Sequence, residues 1–131
     1  VVVERGILSV TAPSFDGVFL EKIDFSDKDE RDVYVSYRLR NEENAVVSEG
    51  TTLFTPPKHF KFENPELSFT IEGKKITVSS RGYAKSVEIA ALDGDVRFSD
   101  NYFDLNGDSK TVEIVEGNAA SFKVRSVYDI R

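Results

Sequence analysis

Val33-Tyr34-Val35-Ser36-Tyr37-Arg38-Leu39-Arg40 alternates side chains with a period of two, the signature of an extended strand. Val33, Val35, Tyr37 and Leu39 fall on one face, and Tyr34, Ser36, Arg38 and Arg40 on the other. The first set is predicted to face inward, giving a half-buried antiparallel strand. Asn41-Glu42-Glu43-Asn44 supplies turn chemistry, so residues 45–54 return as the second strand of a hairpin.

Upstream, residues 7–11 and 18–25 read as two further strands separated by Ala12-Pro13-Ser14-Phe15-Asp16-Gly17, and residues 26–32 as a charged loop. Downstream, residues 67–71 and 75–80 flank Glu72-Gly73-Lys74 as a second hairpin. Val87, Ile89 and Ala91 alternate inward from Ser86, Glu88 and Ala90. A short strand around 96–98 leads to another at 102–105, and Asn106-Gly107 reads as a hairpin turn into 111–115. Phe122, Val124 and Ser126 alternate with Lys123, Arg125 and Val127 in the last strand. Short strands punctuated by Gly, Asn and Asp predict an all-β antiparallel sandwich rather than βαβ units. Pro56-Pro57 deletes two amide donors and stiffens the chain, which marks a boundary. Residues 57–131 suffice for a complete sandwich of about seven strands. Residues 1–56 supply only about four, the end of a preceding, incomplete one. The exposed strand edges of 1–56 could pair two copies into a dimer.

Composition narrows the chemistry. Seventeen Lys and Arg against 23 Asp and Glu give a net charge of -6, so the electrostatic footprint for nucleic acid or an anionic membrane is missing. Without cysteine there is no thiolate nucleophile, disulfide or cysteine-ligated zinc. One histidine, His59, beside Pro56-Pro57-Lys58, reads as a linker residue at a domain junction. No run approaches the ~20 apolar residues of a membrane span, and no signal segment opens the chain. The start at Val1-Val2-Val3 and the lack of methionine point to a segment of something larger.

Three motifs, Leu53-Phe54-Thr55-Pro56-Pro57-Lys58-His59, Arg97-Phe98-Ser99-Asp100-Asn101-Tyr102-Phe103-Asp104-Leu105 and Phe122-Lys123-Val124-Arg125-Ser126-Val127-Tyr128-Asp129-Ile130, occur in this order. Together they resemble the carboxy-terminal region of the β-mannosidases of glycoside hydrolase family 2, over residues 33 to the end. Val96 stands where many members have Gly, and the tryptophan often found on the preceding strand is missing. The resemblance implies an immunoglobulin-like sandwich in an exo-acting enzyme that removes terminal non-reducing β-D-mannose with retention. Retention uses two carboxyls ~5–5.5 Å apart, which in the family are glutamates of a (β/α)8 barrel upstream of this region. No glutamate here matches them, so the resemblance assigns this chain no catalytic residue and no cofactor. Its implied partners are the catalytic barrel and the neighbouring β-sandwich domains, with a glycan contact as a further possibility. An exo-β-glucosaminidase parent is the close alternative.

Read without the resemblance, the chain is also too short for a barrel of ~250 residues. The acid pairs Glu42-Glu43, Glu63/Glu66 and Asp93/Asp95 sit at turns or linkers, where carboxylates are solvated or cap amides. Asp104-x-Asn106-x-Asp108 has the oxygen spacing that opens a calcium loop, but Ser109 replaces its glycine and Val115 its bidentate glutamate. Phe98 and Phe103 are expected in the core, with Ser99, Asp100 and Asn101 bonding local backbone. Arg97 and Asp100 are expected to form a buried ion pair that fixes this corner. Tyr83 and Tyr102, with Arg97, Asp100 and Asn101, are the candidates for a carbohydrate or interdomain contact. Structural brace, stand-alone carbohydrate-binding module and interaction module are the three functional classes left open.

Overall fold

A computed structural model describes residues 2, 4–11, 22, 24 and 26–130. Nine strands form within them, all paired antiparallel: β1 (Tyr34–Arg40), β2 (Val46–Leu53), β3 (Ser68–Glu72), β4 (Lys75–Ser79), β5 (Tyr83–Ala91), β6 (Val96–Phe98), β7 (Phe103–Asn106), β8 (Ser109–Gly117) and β9 (Phe122–Arg125). A 3-10 turn covers Pro57–His59, and one helical turn, α1, covers Val127–Ile130.

Strands β3 to β9 build a seven-stranded immunoglobulin-like sandwich, with sheets in the order β3-β4-β8-β6 and β7-β5-β9. Its core is one apolar cluster: Ile76 and Val78 of β4, Ala84, Val87 and Ile89 of β5, Phe103 and Leu105 of β7, Val112 and Ile114 of β8, and Phe122 of β9. Phe98 packs against this cluster from the side. The alternation of Val87 and Ile89 inward with Glu88 outward is the period-two pattern of a sheet covered on one face. Turn chemistry sets the β3–β4 hairpin, in which Glu72 pairs with Lys75 and Gly73 stands at φ 61° as the first central residue.

Within the sandwich only β3 and β4 are consecutive strands of the same sheet. From β4 onward every connection crosses to the opposite sheet, which corrects the reading of Asn106-Gly107 as a hairpin turn. β7 pairs with β5, whereas β8 pairs with β4 and β6. Asn-Gly supplies a positive φ, here 71° at Gly107, but such a φ dictates a change of direction and not the strand that follows as partner. At this corner Gly107 N–H donates to the Gly82 carbonyl (3.3 Å), and a Cβ on Gly107 would lie 3.2 Å from the Arg81 carbonyl oxygen.

Ahead of the sandwich, β1 and β2 form the expected hairpin. Asn41 Oδ1 accepts the Glu43 and Ala45 amides and shapes the turn, and Asn44 takes φ 63°. The inward face is not the one predicted. Tyr37 and Leu39 are 49% and 51% exposed, while Tyr34, on the face read as polar, meets the sandwich. A two-stranded sheet has no second layer of its own, so the neighbouring domain selects the packed face. Two further strands were expected before this hairpin. Residues 7–11 contain no strand, and Ile7 is 93% exposed, because apolar alternation without a paired ladder does not hold a strand. The strand expected at 18–25 lies outside the described residues, apart from 22 and 24, which are irregular.

Pro57 opens the 3-10 turn, and Phe60 leaves it extended. Lys61 N–H donates to the Arg31 carbonyl (2.9 Å), and its ammonium lies 3.0 Å from Asp32, tying the linker to the loop before β1. In that loop the Arg31 guanidinium and amide hold the Asp29 carboxyl down to about 2. Among the described residues no helix is long and apolar enough to cross a membrane.

Candidate functional site

The outer face of the sheet β7-β5-β9 carries two groups of side chains. Because Val87, Ile89, Phe103 and Leu105 point into the core, their strand neighbours Glu88, Asp104 and Asn106 point outward. The Tyr83↔Asn106 and Glu88↔Arg125 pairings place Tyr83 and Arg125 on that same face.

The first group is the junction with the hairpin. Tyr34 and Tyr83 stack with centroids 3.8 Å apart at 10°. Phe60 stands edge-on to both rings, at 6.3 and 6.0 Å, and Phe62 lies 4.8 Å from Phe60. Phe60 and Phe62, from the stretch after Pro57, are buried, so the connector lends aromatic surface to a second, smaller core. Ser36 pairs with Thr51, which brings Thr51 to the same hairpin face as Tyr34 and Arg38. Each of these three residues meets one member of Asp104-x-Asn106-x-Asp108. Thr51 Oγ1 donates to Asp104 Oδ2, the Tyr34 hydroxyl donates to Asn106 Oδ1, and an Arg38 nitrogen lies 3.5 Å from Asp108 Oδ2.

Asp104 is the most enclosed rung. Its Oδ1 accepts the Ser86 amide (2.8 Å), and Lys85 Nζ lies 3.6 Å from its Oδ2. Ser86 stands at φ 52° beside the irregularity between Ala84 and Val87, so this bond secures a β-bulge. The Tyr83 hydroxyl lies 2.7 Å from Thr51 Oγ1. A carboxylate only accepts, so Tyr83 donates to Thr51 and Thr51 to Asp104. Burial pushes the Tyr83 phenol far above its ordinary range, and burial, helped by the Asp108 charge, raises Tyr34 as well. The spacing that resembled a calcium loop is therefore a rail of hydrogen-bond acceptors. Among the described residues no cluster of His, Cys, Asp and Glu could hold a metal ion.

The second group lies further along the sheet. Tyr102 is 65% exposed at φ 60°, and its hydroxyl donates to Glu88 Oε1 (3.2 Å). Arg125 Nε donates to the other oxygen of Glu88. This bond and the guanidinium charge lower the Glu88 carboxyl. Asn101 fixes the base of the arrangement. Its side-chain amide accepts the Ile89 N–H (2.8 Å) and donates to the Ile89 carbonyl (2.9 Å), and its Oδ1 also accepts the Tyr102 N–H (3.0 Å).

Of the five candidates named from sequence, Tyr83 sits in the junction under Tyr34, and Asn101 and Tyr102 stand together on the open end of the sheet. Arg97 and Asp100 are not paired with each other. Register places Arg97 opposite Glu116, and the two meet at 3.2 Å, both mostly exposed. Asp100 binds Lys110. A cross-strand neighbour wins over a residue three positions away because adjacent strands bring opposite residues within reach on the same face. Ser99 instead continues the β6–β8 ladder, its N–H donating to the Glu113 carbonyl (2.8 Å) and its Oγ accepting the Glu113 N–H (2.9 Å). Two of the acid-pair residues hold specific partners. Asp93 accepts the Ala120 and Ser121 amides, and Glu66 pairs with Arg81 at 3.2 Å.

Sequence reasoning missed Tyr34, Thr51, Glu88 and Arg125. One signal was available, because an Asp-x-Asn-x-Asp run that starts on a strand presents its acceptors on one face.

No match to this chain was found among curated proteins. Two family descriptions match it, the mannosidase Ig/CBM-like domain over residues 1–59 and the Ig-fold domain of mannosidases over residues 62–130. With more than half its length in the second and most of the remainder in the first, the chain belongs to the immunoglobulin-fold accessory domains of mannosidases.

Proposed function

We propose that this chain is a non-catalytic accessory region of a β-mannosidase, and that it braces the (β/α)8 barrel of an enzyme releasing terminal non-reducing β-D-mannose with retention. In this reading residues 1–56 end one immunoglobulin-like unit and residues 57–131 form the complete next one. The partners are the barrel and the neighbouring β-sandwich domains.

The observation that supports the reading is the junction. Interdomain contacts within a chain are ordinarily small and polar, and domain motion is the default. Here an aromatic stack, a three-rung polar rail and a proline-stiffened connector hold the hairpin against the sandwich. A brace has to transmit position, and these contacts resist rotation about the connector.

The test combines this chain with the barrel of the same enzyme produced without it, and follows barrel unfolding together with hydrolysis of aryl β-mannoside and aryl β-glucosaminide. The reading expects no turnover by the chain alone, a higher Tm for the barrel on mixing, and preference for the mannoside. An unchanged Tm would end the bracing role. Preference for the glucosaminide would transfer the parent to the exo-β-glucosaminidases.

A further inference from the structure

We propose that the open end of the β7-β5-β9 face, centred on Tyr102, Glu88 and Arg125, is a binding subsite for a neutral pyranoside. The proposal does not depend on bracing, because these residues lie apart from the junction.

Tyr102 presents a large ring to solvent while its backbone occupies the left-handed region, at φ 60°. Asn and Gly occupy that region at much lower cost than an aromatic residue. The surrounding structure enforces it, since Asn101 is clipped to both backbone groups of Ile89 and then accepts the Tyr102 amide. A strained residue held by over-determined contacts is a pointer to function. The ring is also tethered at its far end to Glu88, so little side-chain freedom is left to lose when a ligand lands on it.

The neighbours define the ligand. A pyranose has an apolar C–H face and a rim of hydroxyls that donate and accept. Tyr102 offers the flat apolar face, Glu88 an acceptor and Arg125 a fork of donors with Nε already used. Glu88 and Arg125 neutralise each other, so a charged ligand would have to break that pair, whereas a neutral polyol can bond to its free edges. A protein partner fits less well. Protein hot spots sit in an apolar centre, and the outward positions beside this ring are Glu88, Arg125, Lys123 and the small Ala90.

The test is an NMR amide titration of the 131-residue chain with methyl β-D-mannopyranoside and β-mannobiose. A shallow single-ring site binds in the millimolar range. The proposal expects saturable shifts at Glu88, Tyr102 and Arg125, with the amides of β1 and β2 unmoved. Tyr102→Asn removes the ring and keeps a residue suited to the left-handed region. It should weaken binding by about tenfold or more while leaving the spectrum of the core intact. Tyr102→Phe should retain most of the affinity. Absence of saturable shifts, shifts mapping to another surface, or wild-type affinity in a folded Tyr102→Asn variant would overturn the subsite and leave the bracing proposal untouched.

Discussion

The sandwich and the hairpin before it are both antiparallel β-structure, yet different forces hold them. Between its two sheets the sandwich encloses ten buried apolar residues, with Ile76, Val78 and Val87 at zero exposure. Neither β1 nor β2 has a buried residue. The hairpin keeps its place by what its Tyr34 face offers to the outside of the neighbouring sheet: one ring to stack, and three polar groups for three acceptors. From this contrast the sandwich is expected to fold as the unit, with the hairpin using its finished outer surface as a template. That order of dependence makes the two regions separable in one direction only.

The largest effect should come from breaking the template. Ile76→Ala leaves a cavity between the sheets, and such truncations cost about 2–5 kcal/mol. Denaturant unfolding followed by circular dichroism should show one transition at lower midpoint, with amide protection in β1 and β2 lost together with that in β4. Hairpin protection that survives loss of the sandwich would mean that the hairpin has its own source of stability.

Tyr34→Ala should release the hairpin and leave the sandwich intact. Half-burial of the side chain and its stack on Tyr83 together contribute about 2 kcal/mol. Hydrogen exchange should speed up in β1 and β2 while β4 and β5 keep their protection. Uniform acceleration over both regions would show that the aromatic junction belongs to the sandwich core and not to a separate interface.

These contrasts explain what the sequence made legible. The strands of the sandwich could be read because each buries one face, and Val87-x-Ile89 or Phe103-x-Leu105 writes that burial directly as alternation. The hairpin strands could be read, but not their packed face. Val35, Tyr37 and Leu39 are the more apolar set, and the outcome was decided by a neighbour whose outer surface is polar. The expected Arg97–Asp100 pair failed for a related reason, since cross-strand register set Arg97 opposite Glu116 and folding brought Lys110 to Asp100, neither visible in a local window. The strand expected at residues 7–11 had apolar residues and no described ladder to join. At the open end of the sheet Tyr102 and Asn101 could be singled out, but Glu88 and Arg125 come from strands brought beside them only by folding.

Alkaline pH should also act on the hairpin before the sandwich. Tyr34 and Tyr83 both have folded pKa values raised by burial, while an unfolded tyrosine ionises near 10. The neutral phenols therefore contribute stability that is fully present below about pH 10 and declines as pH rises above it, because the unfolded or detached form releases protons more readily. The hairpin should open in this range while the core, which contains no tyrosine, stays closed. Phenolate absorbance and β1–β2 exchange rates should change together. Tyrosine ionisation that leaves hairpin protection unchanged would show that the two phenols are not sealed by the junction.

The smallest expected effect separates the rungs of the rail. Arg38 is about half exposed and divides its guanidinium between Glu49 at 3.0 Å and Asp108 at 3.5 Å. Such pairs contribute about 0.2–1 kcal/mol and are screened by salt. The Thr51–Asp104 rung is part-buried and also engages Tyr83 and Ser86, so salt screens it less. Arg38→Ala should therefore speed hairpin opening only slightly at low salt and match the wild-type chain at high salt. A loss as large as that of Tyr34→Ala, or one unaffected by salt, would mean that the charged rung positions the hairpin and the aromatic stack follows. The expected order is the reverse, because two rings at 3.8 Å exclude water from the contact, whereas a half-exposed guanidinium keeps most of its hydration in either state.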